Sequence, residues 1–160
     1  MPRPPCSCAR GGGSLGVALT PTLEDAVALA AQAHRGQVDK GGEVYLFHPL
    51  RLAMRLQGEA ERMAAVLHDV VEDTEISLQQ LRDLGYPAIV VDAVDALTRR
   101  EHESYDAFIL RAAAHPVART VKVADIEDNL DLSRIASPGP RDEERLVRYR
   151  AALELLRVGA

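Results

Sequence analysis

The stretch AAVLHDVVEDTE, residues 64–75, decides how this chain is read. His68-Asp69 and Glu72-Asp73 sit at its centre, framed by Val66, Leu67, Val70 and Val71. Charge taken out of water is costly unless it is paired, so an imidazole and three carboxylates inside an apolar helix need compensation. A metal ion is the obvious candidate. Consecutive helical residues differ by ~100° around the axis, which lets His68 and Asp69 reach one off-axis point. Glu72 and Asp73 follow them by four, one turn along the same faces and roughly 5–6 Å away at Cβ. The result is a narrow polar stripe that could hold a metal at one end and a base at the other. The plainer alternative is a solvated acidic face. Acids crowding the C-terminal half of a helix oppose its dipole, however, and Val and Leu flank the stripe on both sides.

Outward from this stretch, the apolar period is helical. Leu23, Ala26, Val27, Ala30 and Ala33 recur at helical spacing after TPTLEDA, where Thr20 or Thr22 can cap and Pro21 suits a first turn. Gly36 is a natural stop, and GQVDKGGEVY (residues 36–45) reads as a loop with Gly41-Gly42 at its tightest point. A helix from Pro49 to about Gln57 is followed by the motif helix, from about Glu59 to Asp73. Ser77 can cap the next helix, which ends at Gly85. Pro87 opens one carrying Ile89, Val90, Val94 and Leu97. SYDAFILRAAA and PVARTVKVADIEDNLDL are two more, and SPGP is a break. A last helix starts near RDEER and carries Leu146, Tyr149, Leu153 and Leu156. No alternating strand pattern of useful length appears. The expectation is an all-α bundle of seven or eight helices with short connections and no internal repeat.

With 160 residues, 47% of them hydrophobic, the chain suits one domain with a real core. With no Trp and two Phe, that core must be Leu, Val and Ala. Residues 1–19, rich in Pro, Gly and Ser, read as a disordered leader to a domain at 20–160. The net charge of −5 offers no general basic field for nucleic acid or an anionic membrane. Cys6 and Cys8 cannot by themselves complete a four-ligand zinc site. No apolar run approaches the ~20 residues of a membrane span, and no signal-peptide core is present. A cytoplasmic protein is the default; the oligomeric state is not readable.

One helix cannot complete a coordination sphere, and the chain has five His. His48, in YLFHPL, precedes a helix-opening Pro49. Asp125 sits in VKVADIEDNL, where Asp125, Asp128 and Asn129 share a face at i, i+3 and i+4. His34 reads as a core histidine, His102 and His115 as surface residues. A set of two His and two Asp is a mixed N/O site, suited to Mn²⁺, Fe²⁺ or Zn²⁺. Such an ion acidifies water, and Glu72 could deprotonate or orient that water.

The order His48, His68-Asp69, Asp125 resembles that of the HD-type metal-dependent phosphohydrolases. More narrowly, AHRGQVDKGGEVYLFHPLRLA, AAVLHDVVEDTEIS and VKVADIEDNLDL are similar to the A-H-x-G-Q … H-P, L-H-D-x-x-E-D-T and K-x-A-D-x-x-x-N segments of RelA/SpoT-type alarmone hydrolase domains. The likeness runs over about residues 22–157. It implies an HD-domain helical bundle and a free-standing small alarmone hydrolase. It further implies Mn²⁺-dependent removal of the 3′-pyrophosphate of ppGpp or pppGpp, a small-molecule nucleotide substrate. By the same resemblance the metal ligands are His48, His68, Asp69 and Asp125, and the water-activating acids are Glu72 and Asp73. Asn129 holds nucleotide near the reaction centre, and Lys40, Tyr45, Arg145 and Tyr149 contact substrate.

Two positions depart from that pattern. The family's Arg-Lys pair is Asp39-Lys40, and the Pro before its Tyr is Val44. Aspartate supplies neither the plane nor the charge with which arginine packs on a base. Base specificity is thereby opened to another phosphorylated nucleotide, NADPH for instance, and a nucleotide-binding regulator with little activity is a third reading. Lys40, Lys122 and Arg145 offer local positive charge for a phosphorylated ligand. Arg51, Arg55 and Arg119 read as ordinary surface charge.

Overall fold

The computed structural model describes residues 20–131 and 139–158. The leader at 1–19 and the first half of the SPGP break lie outside them. Among the described residues the secondary structure is helical, with a single bridge between Val38 and Val44 in place of any strand. The order is α1 (Leu23–Ala33), α2 (Phe47–Arg55), α3 (Glu59–Leu67), α4 (Val70–Asp73), α5 (Leu78–Asp83), α6 (Ala88–Leu97), α7 (Tyr105–Ala114), α8 (Pro116–Leu130) and α9 (Pro140–Val158). The sequence led to one helix over 59–73; the chain divides it at His68-Asp69, where Asp69 has ψ of −9°. Counted as that one helix, α3 and α4 leave eight helices among the described residues.

Local chemistry explains the boundaries. Thr22 caps α1 and Asp25 returns a bond to the Thr22 amide, while Pro21 stays outside the helix. Ser77 and Gln80 form the same reciprocal cap on α5. Gly85 ends α5 at a φ of +87°, which a side chain would strain. Gly42 turns the 36–45 loop at +85°.

Helix α3 is the centre of the bundle. Met63, Ala64, Ala65, Val66 and Leu67 are all buried, the signature of a helix surrounded by others. It packs against α1, α2, α6 and α8. Ala26 and Ala30 of α1 are fully buried, and side chains this small allow close approach. Each fully buried leucine, such as Leu52 or Leu67, contributes roughly 1.5–3 kcal/mol. Val90, Val94 and Leu97 are buried as expected; Ile89 is not, because the buried face of α6 runs through Val91 instead. A second cluster joins Phe108 and Ile109 of α7, Ile126 of α8, and Ala152, Leu153 and Leu156 of α9. Helix α8 serves both clusters, giving Ala118, Val121 and Ala124 to the first. No described helix is long and apolar enough to cross a membrane.

Candidate metal centre and cavity

Four side chains expected from the sequence converge where α2, α3 and α8 meet. His48 lies in the first turn of α2, His68 and Asp69 follow α3, and Asp125 projects from α8. One ligand atom from each of His48, His68 and Asp125 lies within 4.8 Å of the other two, and all three residues are buried. His48 Nε2 stands 3.3 Å from Asp125 Oδ1 and 3.9 Å from Asp69 Oδ2. His68 Nε2 stands 3.1 Å from Asp69 Oδ2.

The second nitrogen of each imidazole is already engaged. His68 Nδ1 is 2.8 Å from the Ala65 carbonyl, which can only accept, so that nitrogen carries the proton. His48 Nδ1 is 2.9 Å from Asp128 Oδ2. A neutral ring so held presents its Nε2 lone pair to the shared point. Two imidazole nitrogens and two carboxylates form a donor set that fits a divalent transition metal. Burial disfavours charge on His48, but hydrogen bonds to Asp125 and Asp128 outweigh it and push the pKa up to about 9.

The surroundings brace these groups. Asp125 is buried, yet Lys122 and then His48 hold its carboxyl well below the usual range. Lys122 Nζ donates to Asp125 Oδ2 at 2.8 Å, and Asn129 Nδ2 donates to Asp125 Oδ1 at 2.6 Å. Asn129 lines the cavity, with its amide NH₂ turned to Asp125. Arg51 grips Asp128 with both Nε and Nη2, each at 3.0 Å. This overturns the reading of Arg51 as surface charge. The available signal was spacing, since Arg51 follows His48 by three and Asp128 follows Asp125 by three. Arg55 is half-exposed on Glu127, and Arg119 donates to the Ala113 carbonyl.

A cavity of ≈ 440 Å³ opens onto the cluster. Glu72 lines it and accepts a bond from the Arg99 amide at 3.2 Å. Burial raises the pKa of Glu72, partly offset by that amide. Burial and then Asp69 raise that of Asp73, which sits outside this cavity, beside Gln37 and Thr74. The Tyr45 hydroxyl donates to Asp69 and lies 3.5 Å from Asp73, so it is committed to carboxylates. Lys40 lines the cavity and reaches Asp142 at 3.5 Å. Asp39 accepts from the amides of Gly41 and Glu43, a local turn that shapes its own loop. Arg145, Tyr149, Arg99 and Tyr105 line the cavity as well. Neither Arg99 nor Tyr105 was marked by the sequence, because neither belongs to a recurrent spacing. His34 is buried with Nδ1 2.8 Å from Gln37, as a core histidine. His102 is 90% exposed, and His115 caps α8.

The chain belongs to the HD domain family, whose model matches residues 26–129. Among curated proteins it is 34% identical to a GTP pyrophosphokinase of Streptomyces coelicolor, over 70% of this chain and 15% of that protein. It is 28% identical to a guanosine-3′,5′-bis(diphosphate) 3′-pyrophosphohydrolase of Aquifex aeolicus, over 68% of this chain and 17% of that protein. This chain therefore spans about one sixth of the length of those relatives. Among solved structures, a metazoan ortholog of SpoT that hydrolyzes ppGpp superposes with a TM-score of 0.71 at 26% identity, covering 84% of this chain and 85% of that one.

Proposed function

We propose that residues 20–160 form a cytoplasmic metal-dependent phosphohydrolase that removes the 3′-pyrophosphate of ppGpp or pppGpp, releasing GDP or GTP and pyrophosphate. The observation carrying this reading is the convergence of His48, His68, Asp69 and Asp125 beside Glu72, in a cavity also lined by Lys40, Arg99, Lys122 and Arg145. His48, His68, Asp69 and Asp125 would hold the ion, Mn²⁺ first, with Fe²⁺ and Zn²⁺ suited to the same donors. Such an ion supplies Lewis acidity and lowers the pKa of water.

The chain's own groups then have assigned roles. Glu72, with its raised pKa, takes a proton from water as that oxygen bonds to the phosphorus on the ribose 3′-oxygen. The bond from phosphorus to the ribose 3′-oxygen breaks, pyrophosphate carries away the water oxygen, and the 3′-oxygen leaves as a hydroxyl with the proton that Glu72 took from water. Tyr45, whose hydroxyl donates to Asp69, keeps that carboxylate in place. Asn129 and Lys122 orient Asp125, and Lys40, Arg145 and Tyr149 hold the nucleotide.

One observation favours a second substrate. Asp39 stands where the resemblance calls for a base-packing arginine, and its Oδ1 accepts from the amides of Gly41 and Glu43 in its own loop. The alternative substrate for a loop that offers no such plane is another phosphorylated nucleotide, such as NADPH. The test is one metal-analysed preparation given ppGpp, pppGpp, NADPH and other nucleotides, with GDP and pyrophosphate measured. Turnover of ppGpp above the rest supports the first reading. Preference for another nucleotide replaces it, and binding without any hydrolysis leaves a regulator.

A further inference from the structure

Two buried polar atoms at the wall made by α7 and α9 lack a hydrogen-bond partner among the described residues: the Tyr105 hydroxyl and Arg145 Nε. Buried polar groups are nearly always paired, so each such exception calls for an explanation. Both residues line the cavity that holds the candidate metal ligands. They are joined through one side chain. The Tyr105 and Tyr149 ring centroids are 6.4 Å apart, and the Arg145 guanidinium lies 5.7 Å from the Tyr149 centroid. Phe108 adds a ring 6.3 Å from that of Tyr105, and Lys122 Nζ sits 4.8 Å from the Phe108 centroid.

This wall thus offers two unmet donors near a lysine. Burial raises the Tyr105 pKa to about 12, so the phenol keeps its proton and can donate. A ligand that satisfies both donors needs acceptor oxygens, and the nearby Lys122 and Arg145 favour one that carries negative charge. A phosphoryl group has both properties.

Resting on the phosphohydrolase reading above, we propose that Tyr105 is a substrate-binding residue whose hydroxyl, together with Arg145 Nε, donates to a phosphoryl oxygen of the substrate.

Tyr105→Phe tests the assignment because it keeps the ring and removes only the hydroxyl. Two readouts should move independently. In metal-loaded protein, affinity for inorganic pyrophosphate should fall about tenfold by calorimetry. The thermal midpoint of the ligand-free protein should stay level or rise, because an unmet buried group has been removed. Metal content should not change. Arg145→Lys should also weaken pyrophosphate binding, and the double variant should lose less than the sum of the two, as groups sharing one ligand do. A lower midpoint with unchanged pyrophosphate affinity overturns the proposal, since the hydroxyl then serves the fold. Strictly additive losses overturn the shared phosphoryl, and so does a wild type that binds no pyrophosphate. Weakened pyrophosphate binding supports Tyr105 even in a protein that leaves ppGpp intact; that result sinks the ppGpp reading alone.

Discussion

Asp128 touches no substrate in the proposed reaction, yet it governs His48. Its Oδ2 accepts from Nδ1, and Arg51 clamps both of its oxygens. A carboxylate behind a ligand imidazole fixes the ring's orientation and raises its basicity, and losing such a partner costs ~10–100-fold in metal affinity. Asp128→Ala should show that loss in competition with a chelator, and Asp128→Asn, which keeps an acceptor, should recover part of it. Wild-type affinity in the alanine variant would remove Asp128 from this role. Glu72 makes the contrasting case. Glu72→Gln should retain metal but lose ~10²–10⁴-fold in turnover, the usual contribution of a positioned base. Full turnover would exclude it as the base. The two residues were unequally legible. Glu72 stands in a stretch where an acid among valines has to be explained. Arg51 reads as an exposed cation, because only the packing of α2 on α8 turns it toward Asp128.

The connection from α6 to α7 has no apolar period, and the sequence left it blank. Arg111 organises it. Its Nε and Nη2 reach the two Glu103 oxygens at 2.9 and 2.7 Å, and Nη1 and Nη2 reach the carbonyls of Asp95 and Thr98 at 2.8 and 2.9 Å. The segment so fixed carries the Arg99 amide that bonds Glu72. Arg111→Ala should therefore destabilise the fold by about 1.5–3 kcal/mol in urea. It should also lower turnover without releasing metal. Arg111→Lys should recover little, because an ammonium cannot make the fork. Glu103 gives the pH dependence. Its hydrogen bonds to Arg111 outweigh burial and bring its pKa down to about 2. A depressed carboxylate stabilises the folded state above its unfolded value of ~4.3, and that stability is lost as pH falls through the folded value. Unfolding free energy followed from about pH 5 to pH 2 should drop in the wild type. The drop should be shallower in Arg111→Ala, and equal slopes would rule the pair out.

The all-α class was legible because helical spacing recurs from Leu23 to Leu156 with no competing alternation. What spacing could not reveal is that α8 would bridge two buried clusters, placing Asp125 opposite His48 and His68. That arrangement makes the candidate centre a cross-link between α2, α3 and α8, which suggests a last experiment. An ion that binds only the folded chain stabilises it by mass action, ~2.7 kcal/mol at a hundredfold excess over Kd. Mn²⁺ added to chelator-stripped protein should raise the thermal midpoint, and EDTA should reverse the rise. Asp69→Asn should fold but show little of it. Asparagine still accepts from Tyr45 yet brings no charge to the imidazoles, and Asp69 is less buried than its three partners. Glu72→Gln should keep the full rise, because the Glu72 carboxylate accepts from the Arg99 amide, whereas Asp69 lies within 4 Å of both imidazoles. An equal rise in the Asp69 variant would exclude that carboxylate from the coordination sphere. A wild type indifferent to Mn²⁺, Fe²⁺ and Zn²⁺ alike would leave the buried acids compensated by Lys122, Arg51 and the proton on His48.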